Sequence, residues 1–216
     1  MTDMIETVGF VLELIGVASA AVSGTMVAIE KMCDAFGVVF LAIINALGGG
    51  VLRDTMIGHL PPRMFTSYAY ILTATAFSLA VFLLALRHHE RYHANKEKLD
   101  HVNNWFDAVG LAAFTVAGVD LTVAAVGMEA PLTPILLGLV TGIGGGVLRD
   151  VLTGTMPRLL YKRIYALASL AGSGLYYLLL RLGMPDPLGA ALCMALIIAL
   201  RYFATRYHWN MPHAEP

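Results

Sequence analysis

The heptad GGGVLRD occurs twice in this chain, at residues 48–54 and again at residues 144–150. Three consecutive glycines followed by a cation and an anion would be ordinary in a surface loop. Here, however, each copy closes a long apolar run, 35–52 or 130–148, that contains no charged residue. An identical heptad with two opposite charges, placed twice in such surroundings, indicates that a whole structural unit has been duplicated.

The composition predicts an all-α polytopic membrane protein. Of the 216 residues, 58% are hydrophobic and only 13% are charged, whereas soluble domains carry about 25% charged residues. A helix needs roughly 20 residues to cross the hydrocarbon core of a bilayer. Six apolar blocks approach that length, and a shorter seventh, 188–200, would need Arg201 to extend toward the headgroups. We therefore expect seven transmembrane helices, the first six at 8–29, 35–52, 64–86, 108–128, 130–148 and 164–180.

Several functions find no support in the sequence. The two cysteines, Cys33 and Cys193, suggest neither a disulfide nor a metal or redox site. The histidines near residue 90, including the i,i+4 pair His89 and His93, are interpreted as part of a solvated segment. There is no catalytic triad, phosphate-binding loop or basic aromatic patch. We expect no enzyme, no metal site, no cofactor and no nucleic-acid partner.

The duplication extends well beyond the heptads and implies an inversion. Residues 12–24 match residues 106–118, so each unit contains three predicted helices. Because three is odd, the second unit must enter the bilayer from the opposite side, as in transporters built from inverted repeats. The predicted organisation is a first unit at 8–86, a charged cytoplasmic linker at 87–105, a second unit at 106–182, a seventh helix at 185–207 and a polar cytoplasmic tail at 208–216.

Basic residues in the loops predict the orientation. Ten lysines and arginines fall on the side that holds the C-terminus, and two fall on the other side when the heptad arginines are omitted. Cytoplasmic loops carry an excess of Lys and Arg. The N-terminus is therefore expected outside and the C-terminus in the cytoplasm.

The glycine triplets allow two interpretations. Small residues let helices approach closely in lipid, so the triplets could serve packing alone. Alternatively, each triplet interrupts its helix, and the freed carbonyl groups then line a watery cavity and attract cations. Two facing breaks near the middle of the membrane would form a pore or a transport site. The residues concerned are Gly48, Gly49, Gly50, Gly144, Gly145 and Gly146.

The charges of the heptads are expected to pair across the two units. Neighbouring residues point about 100° apart on a helix, so Arg53 should not pair with Asp54, nor Arg149 with Asp150. We predict crossed pairs instead, Arg53 with Asp150 and Arg149 with Asp54. Such pairs would either lock the units together or tune a polar pathway through them.

Five further polar residues lie within the predicted spans or directly beside them. Glu13 and Asp107 occupy equivalent positions in the repeat and would form charged mouths or cap helix starts. Asp120 has no counterpart in the first unit, and is either a counter-ion to an arginine or part of a cation-attracting wall. Asn45 and Thr141 stand one turn before the glycines, where they could face a lumen or bond a neighbouring helix.

These motifs resemble the prokaryotic trimeric intracellular cation (TRIC) channel family. The resemblance covers roughly residues 8–205 and rests on the acid–xx–Gly pattern of the first helix and the doubled heptad. It implies a homotrimer with a pore in each protomer, lined by helices 1, 2, 4 and 5, that passes monovalent cations, chiefly potassium. It also implies the plasma membrane of a prokaryote. The same repeat is catalogued as a glycine-transporter domain.

Two functional hypotheses follow. The first is a channel for monovalent cations, potassium or sodium, that opens and closes at the glycines. Membrane lipids would surround it, and a lipid could also be bound to it. The second is a secondary transporter for glycine or another small amino acid, in which Arg53 or Arg149 binds the carboxylate. A third interpretation, a membrane assembly that transports nothing, would use the glycines for packing only.

Overall fold

A computed structural model of the chain describes residues 2–88, 96–161, 164–207 and 209. Within these residues the chain is entirely helical apart from turns and short connections. Seven helices are long and two are single turns. In chain order they are α1 (Thr2–Glu30), α2 (Ala35–Met56), α3 (Arg63–Thr66), α4 (Tyr68–Arg87), α5 (Lys96–Val126), α6 (Leu132–Leu152), α7 (Arg158–Tyr161), α8 (Tyr165–Arg181) and α9 (Asp186–Arg206).

Six of the long helices have the length and hydropathy that a bilayer crossing requires, and this confirms an all-helical membrane protein. They are α1 from Gly9 onward, α2, α4, α5 from Glu97 onward, α6 and α9. The shortest long helix is α8, with 17 residues, rather than the last helix as predicted. The last helix has 21 residues, because it continues past Arg201. That residue is only 4% exposed, so the expectation that it reaches toward the headgroups was wrong.

The charged linker predicted at 87–105 is partly helical. Because α5 begins at Lys96, residues 96–105 form its first turns. Charged side chains at Glu97, Lys98 and Asp100 are exposed on this extension, which lets the helix continue beyond its apolar stretch. The rest of the predicted linker, 89–95 with His89 and His93, lies outside the described residues, as does the tail at 208 and 210–216.

Four helices form the centre of the molecule. α1, α2, α5 and α6 pack against one another, with α4 against α1 and α2. In the second unit, α8 takes the equivalent place against α5 and α6, and α9 packs beside α8 and α5. Both units therefore bury their second helix, which carries the heptad, in the middle of the bundle.

The heptad helices end in the same way. Gly58 follows α2 with φ 76° and Gly154 follows α6 with φ 63°, a left-handed conformation that favours glycine. In the first unit the backbone N–H of His59 donates to the carbonyl of Asp54 over 2.8 Å, and the equivalent bond in the second unit is 2.9 Å. Both ends are thus Schellman caps, and the repeat persists in backbone geometry beyond the heptad.

Candidate functional site

The glycine triplets do not break their helices. Both α2 and α6 continue through them, so the predicted interruption was wrong. The glycines instead let the two helices touch, since a Cβ built on Gly49 would overlap the carbonyl oxygen of Thr141. A Cβ on Gly145 would overlap the carbonyl oxygen of Asn45 in the same way. Helical hydrogen bonding is kept because neither lipid nor a packed interior offers the carbonyls another donor.

The contacts at this crossing come in equivalent pairs. A Cβ on Gly48 would lie 2.7 Å from Leu148 Cδ1, and one on Gly144 would lie 3.0 Å from Leu52 Cδ1. Residues earlier in α2 meet residues later in α6, so the two helices run antiparallel where they cross. The exchange of equivalent residues places a pseudo-twofold axis at the crossing. This is the geometry of an inverted repeat.

The predicted crossed pairing of the heptad charges was wrong, because each arginine pairs with the aspartate that follows it. In the first unit Arg53 Nε donates to Asp54 Oδ1 over 2.8 Å, and Arg53 Nη2 lies 2.7 Å from the same oxygen. In the second unit the matching distances from Arg149 to Asp150 are 2.9 Å and 2.7 Å. The argument from helix angle failed because a long guanidinium side chain can fold back across 100° and engage a carboxylate through two donors.

Each aspartate has a second function at the end of its helix. The other oxygen of Asp54 accepts the backbone N–H of Arg63 over 2.8 Å, and that of Asp150 accepts the backbone N–H of Arg158 over 2.9 Å. These N–H groups belong to the first residues of α3 and α7. The heptad carboxylates therefore hold both the arginine beside them and the segment that leads into the next helix.

Around the first heptad, buried polar side chains form what we term the first-unit cluster, consisting of Glu13, Arg53, Asp54 and Tyr70. Arg53 Nη1 lies 4.0 Å from Glu13 Oε1. The hydroxyl of Tyr70 donates to Glu13 Oε2 over 2.5 Å. Two carboxylates thus share one guanidinium, and the formal charge of the cluster is −1 with both acids ionised.

The second-unit cluster has the equivalent residues and one more arginine. It consists of Asp107, Arg149, Asp150, Tyr165 and Arg201. Asp107 lies 3.8 Å from Arg149 Nη1 and 3.5 Å from Arg201 Nη2, and the Arg201 guanidinium stacks 4.5 Å from the centre of the Tyr165 ring. With two acids and two arginines, this cluster is formally neutral.

The difference in charge between the first-unit and second-unit clusters is important because both clusters are buried. The charged side chains of both clusters belong to residues that are at most 6% exposed. Glu13 Oε1 and Asp107 Oδ2 are buried and receive no hydrogen bond from the residues that the structure describes. A buried carboxylate without full compensation is costly. It also provides an attractive environment for a small cation.

Glu13 and Asp107 do not cap helices, so that part of the prediction was wrong. α1 begins at Thr2 and α5 at Lys96, which leaves both acids well inside their helices. The capping interpretation failed because the polar residues before each acid extend the helix instead of ending it. Both side chains point inward to the heptad arginines.

Two cavities adjoin the carboxylates of the second-unit cluster. A vestibule of about 430 Å³ opens where α1 and α6 end and α5 begins, and Asp150 forms part of its wall. A much smaller cavity of about 10 Å³ lies between α1, α2, α5, α6 and α8 and is lined by Asn45, Asp107, Gly146 and Tyr165 among others. That volume is close to the space one water molecule needs. The centre of the bundle is therefore nearly closed beside the helix crossing.

The remaining polar residues predicted from the sequence, Asn45, Thr141 and Asp120, each have a hydrogen-bond partner. Asn45 Nδ2 donates to the carbonyl of Ala20 on α1 over 2.6 Å, and Asn45 also lines the small cavity. Thr141 bonds within its own helix, to the carbonyl of Leu137 over 2.6 Å. Asp120 accepts the hydroxyl of Tyr176 over 2.9 Å, and is therefore paired with a tyrosine rather than an arginine.

Sequence reasoning missed three members of the clusters. Tyr70 lies in the first turn of α4 and Tyr165 is the first residue of the equivalent helix α8, and both could have been found by extending the repeat alignment past the heptads. The position of Arg201 in an otherwise apolar span could also have indicated its role, because a charge in such a span usually faces a partner inside the bundle. Its partner, Asp107, is distant in sequence, and only the packing of α9 on α5 brings them together.

The fold and the site together define a helical membrane protein built from two inverted units, with buried charged clusters near the crossing of their central helices. A family model described as Glycine transporter matches residues 10–86 and 104–181, and the chain belongs to this family. A relative, the UPF0126 membrane protein of Deinococcus radiodurans, is 34% identical over 93% of this chain and 89% of its own length.

Solved structures of channels share the fold. One is the TRIC trimeric intracellular cation channel orthologue from Rhodobacter sphaeroides, with a TM-score of 0.83, 30% identity, and coverage of 94% of this chain and 99% of the other. Another is a prokaryotic TRIC channel in 0.5 M KCl, with a TM-score of 0.85, 28% identity, and coverage of 95% and 100%. The resemblance to prokaryotic TRIC channels inferred from the sequence is confirmed.

Proposed function

We propose that this protein is a cation channel. The observation that carries the proposal is the placement of buried carboxylates beside the helix crossing: Glu13 belongs to the first-unit cluster, whose formal charge is −1, and Asp107 lines the small cavity. Negative groups along a low-dielectric passage raise the local concentration of cations. The similarity to solved TRIC cation channels supports the same conclusion.

The proposed route runs from the vestibule past Asp150 to the small cavity at Asp107, and then past the crossing toward Glu13. Carboxylates of both clusters would replace part of the ion's hydration, with Asn45 offering an amide oxygen along the way. Potassium is the proposed main permeant ion. The sequence has no TVGYG filter, so we expect weak discrimination between potassium and sodium.

The proposed gate is the crossing of α2 and α6. Because α2 and α6 are continuous helices, the gate cannot be a bend at a broken glycine triplet, as the sequence had suggested. In the arrangement observed, Gly49 and Gly145 bring the helices into backbone contact, and the adjacent cavity has a volume of only about 10 Å³. Separation of the helices at these glycines would widen the passage, with rearrangement of Arg53 and Arg149 against their acids.

The assembly and topology belong to the same proposal. We infer seven transmembrane spans, with α8 as the shortest, and a homotrimer with one pore in each protomer. The excess of basic residues at one end supports a cytoplasmic C-terminus and an outside N-terminus. The plasma membrane of a prokaryote is the proposed location, where lipids surround the helices.

The function is tested by reconstitution in planar lipid bilayers. Purified protein in a potassium chloride gradient is expected to show unitary currents that reverse near the potassium equilibrium potential. Tracer potassium and tracer glycine uptake are measured in parallel on one liposome preparation. Saturable, gradient-driven glycine uptake without unitary currents would overturn the channel and support the carrier.

Neutralising Asp107 is expected to reduce conduction strongly. Asp107→Asn keeps the shape of the side chain but removes a negative charge from the small cavity. We expect the unitary potassium conductance at low salt to fall about tenfold, which corresponds to about 1.4 kcal/mol of lost cation stabilisation. The matched control is Glu129→Gln, which neutralises an exposed acid in the loop between α5 and α6. Equal conductance of the two variants would place Asp107 outside the ion path.

A further inference from the structure

The Arg201 guanidinium is a buried positive charge that belongs to the second-unit cluster but not to the repeat. It is carried by α9, which follows the two repeated units. Asp107 therefore lies between two guanidinium groups, 3.8 Å from that of Arg149 and 3.5 Å from that of Arg201. Within the described residues, the equivalent acid Glu13 forms an ion pair with one arginine, Arg53, over 4.0 Å. The two ends of the proposed route therefore differ by one buried positive charge.

This charge lies directly behind the wall of the small central cavity. Asp107 and Tyr165 line the cavity, and both contact Arg201, the first with its carboxylate and the second with the face of its ring, whose centre is 4.5 Å away. Arg201 itself is buried. Charges interact more strongly inside a protein than in water because the effective dielectric constant is lower. The electric field of Arg201 therefore reaches an ion in the cavity without direct contact.

The hydrogen bonds of Arg201 indicate that its role is electrostatic. Its Nη2 donates to the neutral amide oxygen of Asn104 over 3.2 Å, and faces Asp107 Oδ2 at a distance of 3.5 Å. Neither Arg201 Nε nor Asp107 Oδ2 has a hydrogen-bond partner among the described residues. The pair is thus held by charge rather than by the two parallel hydrogen bonds that arginine can form with a carboxylate. What Arg201 contributes to the cluster is a balancing charge.

We propose that Arg201 is the residue that makes the second-unit cluster reject divalent cations while it admits monovalent ones. This inference rests on the cation channel proposed above. Coulomb energy is proportional to the product of the charges, so Arg201 repels a divalent cation twice as strongly as a monovalent one. A doubled free energy squares the change in occupancy, so that about tenfold for a monovalent cation becomes about a hundredfold for a divalent one. Because every ion must pass the small cavity, one neutral cluster sets the valence specificity of the whole route.

The test compares the permeation of potassium and barium. Purified protein is placed in planar bilayers with potassium chloride on one side and barium chloride on the other, and the reversal potential gives the permeability ratio. Arg201→Gln gives the second-unit cluster the net charge of −1 that the first-unit cluster has. We expect the permeability of barium relative to potassium to rise about tenfold. The matched control is Arg206→Gln, which removes an exposed arginine from the same helix and should leave the ratio unchanged.

Two further variants separate charge from packing. Asp107→Asn in the Arg201→Gln background makes the cluster neutral again, so the permeability ratio should return to the wild-type value although both side chains have changed. Asp107→Asn alone leaves two arginines and one acid, a net charge of +1, and should lower the ratio below that of the wild type. The ratio should thus follow the net charge of the cluster. Asp107→Asn and the double variant supply this comparison even if Arg201→Gln yields no folded protein.

Three results would overturn the role of Arg201, and they are distinguishable from one another. The same permeability ratio in the wild type and in the charge variants, with potassium current in each, would reject this role but leave the channel standing. A raised ratio in Arg201→Gln that Asp107→Asn does not reverse would assign the effect to altered packing. Absence of potassium current in the wild type would overturn the proposed function, and the role of Arg201 with it.

Discussion

Gly145→Ala and Gly49→Ala are expected to lower the thermal midpoint of the purified protein by about 10 °C, if they leave folded protein at all. The added methyl group would overlap a backbone carbonyl, of Asn45 in one case and of Thr141 in the other. A carbonyl inside a continuous helix cannot turn away, so α2 and α6 must separate. Overpacking of this kind costs about 3 kcal/mol, and each kcal/mol lowers the midpoint of a chain of this size by roughly 2–4 °C.

Other glycines of the same helices and of α8 provide a graded control. Gly174→Ala adds a methyl group that would have no atom of the described residues within 4 Å, and should raise stability by up to about 1 kcal/mol through helix propensity alone. The methyl group of Gly50→Ala would meet the side chain of Met64, with Cε at 2.7 Å and Cγ at 3.1 Å. A flexible methionine can move more easily than a helix backbone, so the loss of stability should fall between those of Gly174→Ala and Gly145→Ala. The measurement is the loss of the folded size-exclusion peak after heating. Similar midpoints for Gly145→Ala and Gly174→Ala would contradict the contact at the crossing.

Arg53→Gln is expected to destabilise the protein more than Arg149→Gln. Removal of Arg53 leaves Glu13 and Asp54 buried together without a cation, and breaking a buried ion pair in this way costs about 3–5 kcal/mol. After removal of Arg149, Arg201 still lies 3.5 Å from Asp107. We therefore expect Arg149→Gln to lower the free energy of unfolding by roughly half as much as Arg53→Gln does. Thermal midpoints measured side by side in one detergent compare the two variants.

A second substitution tests whether charge is the cause. Glu13→Gln in the Arg53→Gln background removes one of the two buried, unpaired carboxylate charges of the broken cluster, and should restore a large part of the lost stability. Arg181→Gln, at an exposed helix end, should have no effect. Equal destabilisation by Arg53→Gln and Arg149→Gln would show that Arg201 does not compensate Asp107. Absence of rescue by Glu13→Gln would attribute the loss to packing.

The long-range pattern of the fold follows from the sequence because it depends on repetition and hydropathy. The apolar blocks predict membrane helices, and the odd number of helices in each unit predicts the inversion. The heptads correctly indicated that the two central helices meet at their glycines, since Gly49 and Gly145 lie at the crossing of α2 and α6. Each of these conclusions needs only the order of residue types along the chain.

The local geometry could not be predicted in the same way. Three glycines allow either a break or a close approach, and the choice depends on what lies opposite, here the carbonyls of Asn45 and Thr141. The pairing of Arg53 with Asp54 depended on the side-chain rotamer, because the angle between neighbouring positions does not limit a long guanidinium. Arg201 was misplaced because its partner lies on another helix.

The order of residue types is enough to recognise a membrane protein with a duplicated unit, whose glycines and charges lie at equivalent positions, and the odd number of helices in each unit predicts that the second is inverted. Three features depend on the packing of the helices: α2 and α6 stay intact and touch at their glycines, each heptad arginine binds the aspartate beside it, and Arg201 makes the two clusters unequal in charge. The physical reason is that hydropathy and repetition are properties of the chain. Contacts between helices depend on distances of a few ångströms that only packing sets.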